Sequence, residues 1–469
     1  MKSVNSNYKA IRILGLLAVV LSLVPLSFAQ SGATSLASQA ALVTEFDVNG
    51  LKVLLKRRPN SPTVAAGLFF RGGTRNLTPQ TAGIESFALN VATEGSTKYP
   101  RAVMRRELAS TGSNIGAGSN YDFSVLSLAS TRDKFDASWD IFTDVALHPA
   151  FAADDVELDR QKILTSLRSA QDDPDGFLQE LVNKTINAGT PYANDPDGSV
   201  ENITRFSAAD LRAYHQKLLQ TSRLLLVIVG DLDAADLKQR IAASFGKLPR
   251  GDYKDTAASG FDFSKPTLDV TSRSLPTNYV QGIFAAPSLK DPDFYAMRVA
   301  TTLLRDRVFE EVRVKRNLSY APNADMGSLA ANTGNIYVTA VDANQAVSLM
   351  LKEINSLKTT PVDVRDISGV TGQFLTTYFI SDETNAAQAA ELARYELIGG
   401  GWKNAFEYLT KVRTVKPQDV QAVANKYMNN LRFIVVGNPA SIDRTTFLQN
   451  MPTKETGRVI TQPAPVYAR

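Results

Sequence analysis

The sequence contains no cysteine and only two histidines, His148 and His215, among 469 residues. Disulfide frameworks and thiolate metal sites are excluded, and so is a zinc site built on two histidines of one helix, because the pair lies far apart in the chain. An excess of one charge sign is also missing. Lys and Arg number 51 against 47 Asp and Glu, a formal net charge of +4, and Lys2, Lys9 and Arg12 at the very start account for most of it. A nucleic-acid binder needs a concentrated positive face, so that class is set aside. Long apolar runs are scarce as well. The one at Ile13–Leu26 follows those three cations and ends in Ser27-Phe28-Ala29, with small residues where a signal peptidase reads.

Residues 1–29 therefore read as a secretory signal peptide. An uncleaved anchor is the alternative, but the run is short for a bilayer span. Without a cysteine after it, a lipoprotein anchor is excluded. The mature chain is expected to be periplasmic or secreted, with no stable membrane insertion after cleavage. Its composition, 44% hydrophobic and 21% charged, is that of a globular protein, and its length calls for two or more cores.

Two stretches repeat. Ser207–Lys217 has a helical pattern and leads into Leu224-Leu-Leu-Val-Ile-Val229 and Gly230. Lys416–Lys426 does the same before Phe433-Ile-Val-Val436 and Gly437. The starts repeat too: Val64–Phe70 resembles Val280–Ala285, with Gly67 facing Gly282. The expectation is α+β, two homologous domains at 38–248 and 267–451, each a largely antiparallel sheet with helices on one face. Pro249, Gly251 and Gly260 place a linker at 249–266. The stretch 452–469, with Pro452, Pro463 and Pro465, reads as a flexible tail.

Several motifs resemble one family. Arg71-Gly72-Gly73-Thr74-Arg75 after a strand, Gly83-Ile84-Glu85-Ser86-Phe87-Ala88-Leu89-Asn90, Glu94-Gly95-Ser96, Asp172-Asp173-Pro174, Thr190-Pro191-Tyr192 and Val229-Gly230-Asp231 look like the pitrilysin, insulinase and mitochondrial processing peptidase family. The resemblance runs from about 40 to 450 and implies half of a clamshell. Members carry an inverted zinc motif, His-x-x-Glu-His, with a downstream glutamate as third ligand. Two histidines at i and i+4 grip the metal from one helix face, and the glutamate takes a proton from its water. Here the matching positions hold Ser86, Leu89 and Asn90, and the third-ligand segment offers Thr165 and Ser166. No histidine precedes His148, so a shift of alignment restores nothing. The resemblance implies a chain that binds no metal and is silent alone. Ile84, Phe87, Ala88 and Val91, at i, i+3, i+4 and i+7, instead describe a helix held by an apolar stripe. Glu85 and Glu94 remain nearby, on opposite faces of a continuous helix, and do not make a metal site.

Other features of the family are kept. Arg313 and Tyr320, seven residues apart, match the pair that the non-metal subunit of two-chain members offers to substrate across the chamber. Ser113–Asp122 resembles the family's edge strand, where Gly116, Ala117, Gly118 and Ser119 would let an extended peptide pair its backbone. The implied partners are a homologous subunit bearing the zinc and an unfolded peptide. A structural scaffold and a stand-alone peptide binder of the same fold are the alternatives. Lys56-Arg57-Arg58 reads as a solvated strand end, and His148 and His215 as surface or packing histidines.

Overall fold

A computed structural model describes residues 39–448 and the backbone of 457–460. The signal-peptide reading and most of the tail fall outside them.

The first sheet has the order β1-β2-β6-β3-β5-β4. Its strands are β1 (Val43–Val48), β2 (Leu51–Arg57), β3 (Thr63–Arg71), β4 (Asn114–Ser119), β5 (Phe123–Thr131) and β6 (Leu224–Gly230). The second, with β7 (Thr267–Ser272), β8 (Asn278–Ala286), β9 (Asn323–Met326), β10 (Asn332–Ala340), β11 (Arg432–Gly437) and β12 (Gly457–Ile460), runs β12-β7-β11-β8-β10-β9. From β2 and β7 onward the two orders coincide, and β2–β6 and β7–β11 are both parallel pairs among antiparallel ones. The duplication legible in sequence is thus a duplication of topology. Gly67 and Gly282 sit at matching strand positions, and at each a Cβ would meet an aromatic ring, Phe69 or Phe433, at 2.4 Å. The sheets differ at one edge. β1 is antiparallel to β2, while β12 is parallel to β7, so part of the tail expected to be flexible is a four-residue strand at 457–460.

Alternation along the strands splits each sheet into two faces. In the first, Leu51, Val53, Val64, Leu68, Leu226 and Ile228 face their own domain's helices. Leu54, Phe69, Leu225, Val227 and Val229 point the other way and join the second domain's core. Having both faces covered explains why β6 reads as an unbroken apolar run. The cover is reciprocal. Helix Asn385–Ile398 of the second domain lies on β3 and β6, and helix Pro174–Ile186 of the first lies on β8 and β11. There Leu178, Val182 and Ile186 pack on Ile283, Ile434 and Val436. Each domain therefore keeps its own helices on one face and lends one to its twin's other face.

Polar groups lock the same joint. Asp122, in the β4–β5 turn, accepts Tyr192 Oη at 2.5 Å and the Ala330 amide at 2.9 Å, with Arg75 Nε at 3.3 Å. The Ala331 amide donates to Tyr192 Oη at 3.1 Å. The basic strand end is not solvated as its composition suggests. Lys56 is only 2% exposed, with its ammonium 5.1 Å from the Phe406 ring centre, and Arg58 reaches Asn385 Oδ1 at 2.6 Å. Only Arg57 faces out, bonded to Asp231 at 3.1 Å. The residues that cover Lys56 come from the far domain, which local sequence does not reveal.

Beside Lys56, burial pushes the Asp382 carboxyl up to about 6, while Lys56 pulls it down and Glu391 pushes it up. A carboxyl raised in the folded state binds more protons there than when unfolded, so its contribution to stability falls as pH rises from about 4 to 6. Asp382→Asn is accordingly expected to gain stability relative to the parent over that window and hold the gain above it. Urea midpoints at pH 4.5 and pH 7 check this, and an equal difference at both values refutes it.

Candidate functional site

The helix that carries the degenerate motif is α1, Ile84–Ala92. It begins after Gly83, which has a φ of 87° and lies so close to the 198 backbone that a Cβ would meet the Gly198 Cα at 2.7 Å. Ile84, Phe87, Ala88 and Val91 pack together with Leu164 and Leu211, as the stripe requires. Leu89 turns to the opposite side, into the first sheet's core, and is fully buried. Ser86 and Asn90 are half-buried, and Asn90 Nδ2 donates to Ser86 Oγ at 3.4 Å. Thr165 and Ser166 are exposed on helix α2, Ala153–Asp172.

These residues do not fit a zinc ion. Ser86 and Asn90 satisfy one another, and Leu89 has neither a base nor access to water. The carboxylates left nearby are already engaged. Glu94 is bound by Arg101 at 3.1 Å, Arg105 at 3.2 Å and Lys162 at 2.9 Å. Lys162 also bonds Asp159 at 2.7 Å, so an ammonium ties α2 to the end of α1. Burial pushes the Glu94 carboxyl up, and Lys162 with Arg101 and Arg105 outweighs it and holds the carboxyl below its usual range. Leu89→Glu, the substitution that would restore a base, is expected to cost roughly 2 kcal/mol of stability by burying a carboxyl in an apolar core. It should confer no zinc uptake. Urea unfolding and elemental analysis of Leu89→Glu test this, and an unchanged urea midpoint or stoichiometric zinc contradicts it.

Glu85, which sequence left as a loose carboxylate, is a buried hub. It accepts Ser124 Oγ at 2.6 Å, Tyr214 Oη at 2.6 Å and Arg223 Nη2 at 2.9 Å. His215 is a packing histidine, 2% exposed and edge-on to Phe151. Burial pulls its pKa down to about 4.

Beside α1 runs β4, the last strand of its sheet. Gly116, Ala117, Gly118 and Ser119 pair with β5 on one side only. Among the described residues, a Cβ added at Gly116 would meet only Ser127 Oγ and the Asn114 side chain within 4 Å, and one at Gly118 only Val125.

The remaining pair lies in the second domain. Helix α3, Phe294–Val308, ends in a wide π-type turn over Phe309–Val314, a local irregularity that often accompanies function. Arg313 lies in that turn, its guanidinium 4.9 Å from the Tyr320 ring centre. Tyr320 is 81% exposed. Glu311 takes both neighbouring cations, Lys315 at 2.5 Å and Arg316 as well. Among the described residues no carboxylate lies within ion-pair distance of Arg313. The structure thus brings the two sequence-predicted residues together, the guanidinium lying over the ring of an exposed phenol. Both groups are hydrogen-bond donors, and Arg313 Nη1 donates to Asn317 Oδ1.

With this geometry in place, the chain's relatives are informative. The family described as "Insulinase (Peptidase family M16)" matches residues 52–196, and "Peptidase M16 inactive domain" matches 205–397. This chain belongs to the peptidase M16 family. An "Uncharacterized zinc protease" of Rickettsia felis is 20% identical over 402 residues, 83% of this chain and 96% of the relative. The solved M16 inactive-domain protein of Pseudomonas fluorescens superposes with a TM-score of 0.77 at 20% identity, covering 84% of this chain and 98% of its own. A chain of complex III from Candida albicans gives 0.73 at 19% identity, over 87% and 99%. The two-domain α+β fold is that of these proteins.

Proposed function

We propose that this chain is the non-catalytic subunit of an exported, two-chain zinc peptidase. It pairs with a homologous subunit that holds the zinc, helps enclose an unfolded peptide along β4, and supplies Arg313 and Tyr320 to the substrate carbonyl. The observation that carries the reading is the Arg313 guanidinium over the Tyr320 ring, a charge that no carboxylate among the described residues neutralises. Its complement is the absence of His-x-x-Glu-His from this chain, where Ser86, Leu89 and Asn90 stand instead. Export is argued from the N-terminal apolar run. Among the described residues no helix is long and apolar enough to cross a membrane.

The similarity to a complex III chain favours a second reading, a scaffold that touches no peptide. Peptide hydrolysis by this chain mixed with an exported homologue that retains the zinc motif separates the two. The proposal requires activity that depends on both chains and on Arg313. Activity of the zinc subunit that is indifferent to this chain, or to Arg313→Ala, supports the scaffold.

A further inference from the structure

The chain reverses direction between Arg313 and Tyr320 at Asn317, whose φ is 52°. Left-handed backbone is tolerated by glycine and, next best, by asparagine. The reversal is a widened helix cap. The Lys315 amide bonds Glu310 O at 2.9 Å, the Asn317 amide bonds Arg313 O at 3.1 Å and the Leu318 amide bonds Val312 O at 2.9 Å. This cap brings Tyr320 back beneath Arg313. Backbone geometry alone would be served by glycine, so the side chain calls for its own explanation. Asn49 and Asn430 share the left-handed conformation and turn their amide nitrogens to backbone carbonyls, those of Gly246 and Leu248 and of Phe263. Asn317 does the reverse, its Oδ1 accepting from Arg313 Nη1.

We infer that Asn317 is the positioning residue of this site, holding the guanidinium over the Tyr320 ring so that the two donors are presented as one preset surface. The inference rests on the proposed role of Arg313. The side chain of an arginine samples many rotamers, and one hydrogen bond from a neighbour four residues on removes most of them. Tyr320 then supplies a flat face on which the remaining plane rests. Asn317 acts through Arg313, whose Nη1 donates to its Oδ1.

Two variants separate the backbone from the side chain. Asn317→Gly keeps the left-handed turn and removes the acceptor, and Asn317→Asp keeps both. The readout on the mature chain alone is the rate of phenylglyoxal modification at Arg313, followed by peptide mapping, with exposed Arg168 as the internal reference. Asn317→Gly is expected to speed modification of Arg313 roughly ten-fold, the lower end of what one hydrogen bond to a charged group is worth, with Arg168 and the thermal midpoint unchanged. Asn317→Asp should react no faster than the parent. In the two-chain peptidase, Asn317→Gly should lower kcat with little change in KM, whereas Asn317→Asp, which sets a carboxylate against the guanidinium, is read in the modification assay alone. Equal modification rates in parent and Asn317→Gly, or an Asp variant as reactive as the Gly variant, overturn the inference. Because the modification assay needs neither partner nor peptide, that result leaves the role of Arg313 standing, whereas loss of any Arg313→Ala effect on hydrolysis refutes the role itself.

Discussion

Arg313→Ala is expected to lower kcat of the two-chain peptidase by about 100-fold while KM changes little. A donor aimed at charge that develops only in the transition state is worth about 3 kcal/mol, and its loss falls on the chemical step rather than on ground-state binding. Among the described residues no carboxylate pairs with the Arg313 guanidinium, so its charge is available to a substrate oxyanion. Tyr320→Phe removes only a neutral hydroxyl and keeps the ring on which the guanidinium rests, so its loss should be nearer ten-fold. Arg313→Lys should not rescue, because an ammonium lacks both the planar stack and the forked donors. Steady-state kinetics at fixed zinc subunit check the series. A kcat within two-fold of the parent for Arg313→Ala sinks the proposal and leaves the scaffold.

How far the sequence discloses this arrangement depends on how local each determinant is. The stripe of Ile84, Phe87, Ala88 and Val91 is legible because the 3.6-residue period states which side is buried. The Gly-rich edge strand and the Arg313/Tyr320 pair are legible through their motifs, and the repeat of Gly67 at Gly282 announces the duplicated topology. What is not legible depends on partners hundreds of residues away. Nothing near Lys56 indicates that Phe406 closes over it, and the apolar stripe of Pro174–Ile186 does not say that its partners are Ile283, Ile434 and Val436. Asn317 is a middle case. Asparagine after a run of charged helical residues marks a left-handed cap, but only the three-dimensional path shows that its carbonyl meets Arg313. The domain joint and the site are therefore linked by one lesson: residues whose meaning is a distant contact look, in sequence, like surface.

Glu85→Ala is the substitution expected to damage the fold most, by about 3–5 kcal/mol. The side chains of Glu85 and Arg223 are 3% and 8% exposed, and the carboxylate also accepts from Ser124 and Tyr214. Removing it strands a guanidinium away from water and leaves two hydroxyls without an acceptor. Burial alone would pull the Arg223 pKa down, but Glu85, with Tyr214, more than offsets it. Burial, reinforced by Glu85, likewise keeps the Tyr214 phenol protonated and donating. The cost thus arises from the orphaned partners rather than from the lost attraction, which yields a discriminating control. Glu85→Leu combined with Arg223→Met removes both charges at similar volume and should recover most of the loss, because a buried ion pair is worth little more than the apolar contacts that can replace it. Urea denaturation of the single and double variants decides this. A single variant within 1 kcal/mol of the parent, or a double variant no better than the single, would show that α1 is held by its apolar stripe alone. The expected pattern would instead place Glu85 beside that stripe as the second fastening of a helix that no metal ligand anchors.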